Sequence, residues 1–210
     1  METIVRKIRH LLPAALLSVL LSSCTEELLF EEHPRVQEGL PAQVTLGFRS
    51  EKNRIVTRAA QDESYENRVN NLYVFIFNPD GEVHYQGFYT DNDITYDTNA
   101  GRSKGQVSFS TTSLNNVQIV CIANLSTESV NSNYEVTQEE MKKITSLDEL
   151  EAYIMTLDEQ TVERSTQFMM TGFAYDDNDS DQTNTVINIP GTESGTASLE
   201  CTLRPERTDA

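Results

Sequence analysis

The chain has 210 residues, enough for one medium-sized domain with a proper core, or one domain and a tail. Its formal charge is −17 and its pI about 4.4, which excludes nucleic acid as a partner, because phosphate would be repelled along most of the surface. Otherwise that charge argues only for a well-solvated surface.

The N-terminus reads as a targeting segment. Arg6, Lys7 and Arg9 make a basic start, and Leu11 to Leu21 is apolar apart from Pro13 and Ser18. A bilayer needs roughly 20 apolar residues, so this run fits a signal-peptide core and not a membrane span. It ends in Leu21-Ser22-Ser23-Cys24, which resembles the lipobox of bacterial lipoproteins. The resemblance implies cleavage before Cys24, lipidation of its sulfur, and attachment to the outer membrane at the cell surface. The other reading is an ordinary signal peptide that contains a cysteine. Loss of residues 1–23 removes three basic groups and one acid, Glu2, and would take the charge from −17 to −19. Thr25-Glu26-Glu27 and Glu31-Glu32 resemble a surface-export signal, or form a solvated acidic linker. Residues 24–42 as a whole read as a tether.

Order is expected from residue 43. Val44, Leu46 and Phe48 alternate with Thr45, Gly47 and Arg49, the pattern of a strand with one face on a core. Ser50 to Asn70 is polar, has no clear period, and holds Arg54, Arg58 and Arg68; a loop of this length is often functional. The strongest strand signal follows. Leu72, Val74 and Ile76 fall on one face, Tyr73, Phe75 and Phe77 on the other, and both faces are apolar. Such a strand is covered on both sides. Asn78-Pro79-Asp80-Gly81 carries the residues of a type I turn, so Glu82 to Tyr89 should return as a hairpin partner. In that partner Val83, Tyr85 and Tyr89 share one side, and Glu82, His84 and Gln86 the other.

Thr90 to Lys104 reads as a polar loop, Gly105 to Ser110 as a strand, Asn115-Asn116 as a turn, and Val117 to Ala123 as an interior strand. The period then changes. Thr137 with Glu140 and Ser146 with Glu149 are helix-start signatures, and Leu147, Leu150, Ile154 and Leu157 recur at helical spacing. Strands resume over Gln167–Ala174, Thr185–Pro190 and Thr196–Leu203. The sum is a mainly β chain of about seven strands in a Greek-key-like order, a β-sandwich with a small helical insert.

Chemistry is sparse. Beyond residue 23 only His33 and His84 remain, neither at catalytic spacing from a nucleophile, and no phosphate-binding glycine pattern occurs. No CxxC or His/Cys cluster suggests a metal. Asp176 to Asp181 has the composition of a calcium loop but lacks its glycine and closing Glu, and reads as an acidic turn. Cys121 and Cys201 sit in β patterns, as buried thiols or as a disulfide between adjacent strands. The expectation is no enzyme, no cofactor and no metal.

In order and spacing these residues resemble the fimbrillin family, the lipoprotein pilin subunits of type V pili in anaerobic Gram-negative bacteria. The resemblance rests on Cys24, the strand Val44–Phe48, the pair Arg58-Ala59, the strand Leu72–Phe77, Val120–Leu125, the helical insert and Phe168–Gly172. It implies a transthyretin-like sandwich over residues 43–204 and the start of a second sandwich, missing or truncated here, at 205–210. It also implies a mechanism. An Arg-specific protease cuts after the loop arginine, Arg58, next to Ala59; the first strand with Val44, Leu46 and Phe48 leaves. A strand donated by another pilin subunit then fills its groove. The alternatives are a non-polymerising pilus anchor or tip lipoprotein, and a surface glycan-binding lipoprotein, against which the absence of Trp counts.

Overall fold

The computed structural model describes residues 35–51, 67–157, 166–179 and 181–205. Nine strands form one hydrogen-bonded order: β1 (Pro41–Ser50), β2 (Leu72–Phe77), β3 (Val83–Tyr89), β4 (Thr95–Asp97), β5 (Gly101–Thr112), β6 (Leu114–Ala123), β7 (Met170–Asp176), β8 (Val186–Ile189) and β9 (Ala197–Pro205). Across the sheet they run β3-β2-β6-β7-β9-β1-β5-β4, with β8 beside the first half of β6. The chain is mainly β, as its alternation predicts. Among the described residues there are nine strands, not about seven, partly because β4 lies in the stretch expected to be a polar loop.

The sheet curls so that its ends meet. Tyr85 of β3 stacks on Phe109 of β5 at 4.9 Å between centroids, although the two strands lie far apart in the hydrogen-bonded order. His84 Nε2 and Thr112 Oγ1 are likewise 2.9 Å apart. The enclosed core contains Val44, Leu46 and Phe48 from β1, Leu72, Val74 and Ile76 from β2, and Val117, Ile119 and Cys121 from β6.

A second core explains the doubly apolar β2. Its other face, Tyr73, Phe75 and Phe77, packs with Val120, Ile122, Met141 and Leu150 under the helical insert. The insert comprises α1 (Gln138–Met141) and α2 (Leu147–Met155). The Glu140 carboxylate accepts the Thr137 backbone N–H at 2.8 Å, and Ser146 Oγ accepts the Glu149 N–H at 3.2 Å, so both helices begin where their signatures place them.

Two local expectations change. The β2–β3 register shifts between Ile76 and Phe77, so that Ile76 faces Tyr85 while Phe77 faces Val83, with His84 as the extra residue. Val83 therefore packs with the second core, and only Tyr85 and Tyr89 join the first. Asn115-Asn116 is not a turn between strands. It is an irregularity inside β6, where Asn116 takes φ 53°, a conformation asparagine tolerates. The 78–81 turn is as expected: Gly81 N donates to Asn78 O at 2.9 Å, and Gly81 has φ 79°.

Candidate functional site: the β1 slot

Sequence reasoning points to β1 as the functional element, and its position is specific. It pairs antiparallel with β5, from Pro41 opposite Thr112 to Arg49 opposite Lys104. It also pairs in parallel with β9, from Val44 opposite Ala197 to Ser50 opposite Leu203. Both edges of the strand are thus bonded. Its inward residues Ala42, Val44, Leu46 and Phe48 are all 1% exposed or less. The three predicted groove residues stand together on the core face, in register with Ala197, Leu199 and Cys201 of β9.

The slot is shaped by residues that the pattern of apolar side chains does not reveal. Gly105 lies opposite Phe48, and Gly47 lies beneath the carboxylate of Glu200, where a Cβ would collide. Glycine inside a strand weakens it unless something approaches closely, so these two glycines are the sequence signal for the slot. Burial raises the pKa of Glu200, against the opposing pull of Lys104 and Arg49. On the outward face Gln43 Nε2 donates to Ser110 Oγ at 2.7 Å, and Arg49 Nε to Thr202 Oγ1 at 3.2 Å.

At both ends β1 is tied to the rest of the domain. Ahead of it, Leu40 N donates to Ser113 Oγ at 2.9 Å and Val36 N to Asn115 Oδ1 at 2.7 Å. Behind it, Ser50 Oγ donates to Asn67 O at 2.7 Å and Glu51 N to Leu203 O at 2.9 Å. Glu51 also meets Arg204 at 3.1 Å, an exposed pair of small energetic weight. The segment between Glu51 and Asn67 contains Arg58 and Ala59; these two residues and Cys24 lie outside the described residues.

Cys121 and Cys201 are free thiols, both fully buried in the first core. A hydrogen bond with the Cys121 thiol, together with burial, raises the pKa of Cys201. Among the described residues no cluster of His, Cys, Asp and Glu could hold a metal ion, and no helix is long and apolar enough to cross a membrane.

The family model for the major fimbrial subunit protein (FimA) matches residues 42–202. No curated protein sequence matches the chain. Among solved structures, a fimbrial assembly protein from Parabacteroides distasonis aligns at 13% identity with a TM-score of 0.48, over 80% of this chain and 53% of that one. The tip fimbrial protein Mfa3 from Porphyromonas gingivalis aligns at 13% identity and TM-score 0.43, over 77% of this chain and 48% of that one. The fimbrial anchor protein Mfa2 from the same organism aligns at 14% identity and TM-score 0.40, over 79% and 50%. The chain therefore spans about half the length of these relatives. The match from residue 42 to residue 202 runs from β1 into β9, and on it the chain belongs to the major fimbrial subunit protein (FimA) family.

Proposed function

We propose that the protein is a structural subunit of a cell-surface pilus, held before assembly by a lipid on Cys24. It becomes competent to polymerise when cleavage after Arg58, ahead of Ala59, lets β1 leave. A strand from another subunit then occupies the slot, and the pilus built in this way serves adhesion. The observation that carries this reading is the placement of β1 between β5 and β9 with Val44, Leu46 and Phe48 buried.

The energetics favour replacement over vacancy. Burying one large apolar side chain contributes roughly 1.5–3 kcal/mol, so the three together contribute about 4.5–9 kcal/mol. Whole domains are stable by only about 5–15 kcal/mol. A domain without β1 also exposes two unpaired strand edges, on β5 and β9, which is the template that β-augmentation uses. The parallel edge on β9 and the antiparallel edge on β5 together fix the direction of the incoming strand.

The test is limited digestion of the full chain with an Arg-specific protease, followed by mass spectrometry. A synthetic peptide with the alternation of Val44-Thr45-Leu46-Gly47-Phe48 is then added. The reading expects one cut at Arg58, retention of the N-terminal piece until a competitor displaces it, and capture of the peptide. A chain that is never cut there, or that is cut and then refuses any strand, is not a polymerising subunit; an uncleaved, lipid-bearing chain would instead be an anchor.

A further inference from the structure

At the pole where β1 and β9 end, a cleft of about 710 Å³ opens between the β2 and β3 ends and the 127–131 segment. Its size suits a di- or trisaccharide, within the range of small-ligand sites. Its wall is unlike the rest of this acidic surface. Arg68, Arg102, Asn70, Asn92 and Asn131 line it, with the ring of Phe88 as its main apolar plane.

One side of the wall is fixed in advance. Arg102 bonds to Asp91 at 2.5 and 2.6 Å, donates to Asn70 Oδ1 at 3.0 Å, and lies 5.2 Å over the Tyr96 ring. Asn70 Nδ2 in turn donates to Gln167 Oε1, and Asn70 N to Asn124 Oδ1 at 2.9 Å. Asp91 is thereby neutralised by Arg102. Arg68 is different: its carbonyl is pinned by Asn124 Nδ2 at 2.7 Å, while its guanidinium forms no ion pair among the described residues. Among the described residues the cleft wall therefore carries two guanidiniums, Arg68 and Arg102, against the one carboxylate of Asp91, on which both charges act, beside neutral carboxamides on a chain of charge −17.

We propose that this cleft is a binding site for an acidic saccharide, with Arg68 receiving the sugar carboxylate, Asn92 and Asn131 its hydroxyls, and Phe88 its apolar ring face. A guanidinium suits a carboxylate because it can donate two parallel hydrogen bonds. Carboxamides both donate and accept, as hydroxyl groups require. A polyanion is disfavoured by the charge of the whole chain, which a single carboxylate meets only weakly. A peptide is disfavoured because Phe88 and Val130 offer too little apolar wall to anchor side chains.

The experiment is calorimetric or NMR titration of the full chain with sialyllactose and a disaccharide carrying a single uronate, with lactose as the uncharged control. The expected result is that at least one acidic sugar binds about tenfold more tightly than lactose, the scale of one charge-assisted contact. Arg68→Gln should abolish that difference. Asn92→Asp, at an exposed position that leaves packing intact, should weaken the acidic sugar further. Equal binding of acidic and neutral sugars, no binding of any, or an acidic preference that survives Arg68→Gln in a folded protein overturns the proposal. So does capture of a protein ligand by this cleft with no sugar response. None of these readouts depends on pilus assembly, so the slot reading and the cleft reading stand or fall separately.

Discussion

Phe48 and Gly105 face each other across the β1–β5 ladder, and a Cβ at Gly105 would stand 2.9 Å from the Phe48 ring and 2.9 Å from the Thr95 carbonyl. The Thr95 carbonyl is backbone and cannot turn aside. Gly105→Val should therefore push β1 and β4 away from β5, which lies between them, and cost about 1–3 kcal/mol, the range for overpacking. Urea denaturation would read the loss. The same change should loosen β1 selectively, so limited proteolysis ought to release the first strand faster than it degrades the rest. Uniform destabilisation, with no preference for β1, would separate Gly105 from the slot.

Phe48→Ala acts on the same contact from the other side. Phe48 is 1% exposed in the first core, and removing a buried Phe side chain costs about 3–5 kcal/mol. That is a large part of a domain's stability of roughly 5–15 kcal/mol. If β1 is the replaceable strand, a donor peptide carrying Phe at the matching position should exchange into this variant faster than into the unaltered chain. Equal exchange rates would mean that Phe48 does not hold the strand in place.

How much of this was legible beforehand depends on how locally each feature is encoded. The two faces of β2 are written in six consecutive residues, and both cores follow from them. The capping residues Thr137 and Ser146 are equally local, as is the Asn78–Gly81 turn. The bulge at His84 was hidden because alternation assumes an unbroken register, and one extra residue moves Val83 to the other face. Asn116 was misleading because an asparagine pair serves a turn or a strand irregularity equally well. The slot could be read only in part, since β9, which supplies half of it, lies some 150 residues downstream of β1. The polar cleft was not legible at all: its wall is assembled from segments around residues 68, 90, 102, 130 and 167.

Asn124 holds that assembly together. It is fully buried at φ 62°, directly after β6. Its Nδ2 donates to Arg68 O at 2.7 Å and to Phe168 O at 2.8 Å, while its Oδ1 accepts from Asn70 N at 2.9 Å. Asn124→Asp keeps the shape and places a carboxylate against two carbonyls. It should destabilise more than Asn124→Gly, which suits the backbone but loses the bonds. Each buried partner left unsatisfied costs about 1–3 kcal/mol, so even the glycine variant should lose several kcal/mol. Thermal melts of the two variants at neutral pH would rank them; the opposite order would mean that backbone conformation outweighs the hydrogen bonds.

The helical insert should be sensitive to acid. Backbone hydrogen bonds from Thr137 to Glu140 and from Thr145 to Glu149 hold both carboxyls below the ordinary 4.5. A carboxyl whose folded pKa is depressed contributes stability that is fully present above its unfolded pKa. That contribution is lost as pH falls through the folded value. Helix content should then begin to fall below about pH 4.5. Glu140→Gln should flatten this part of the profile, as followed by the amide signals of residues 138–155. A profile unchanged in that variant would remove Glu140 as the cause.

Cys201 lies opposite Phe48 on the parallel ladder, is fully buried, and has its thiol pKa raised by the Cys121 thiol and by burial. It should resist alkylation in the intact chain, because the thiolate is the reacting species and neither access nor charge favours it. Departure of β1 uncovers the core face of β9, so Cys201 should become reactive. Cys121, paired between Val74 of β2 and Gly172 of β7, has no β1 neighbour in its ladders and should react more slowly. An incoming donor strand should protect Cys201 again. Quantitative alkylation before cleavage, after cleavage and after peptide addition would follow all three states with one residue. Sustained protection after the N-terminal piece has left would mean that the slot closes without a donor, and strand replacement would lose its physical driving force.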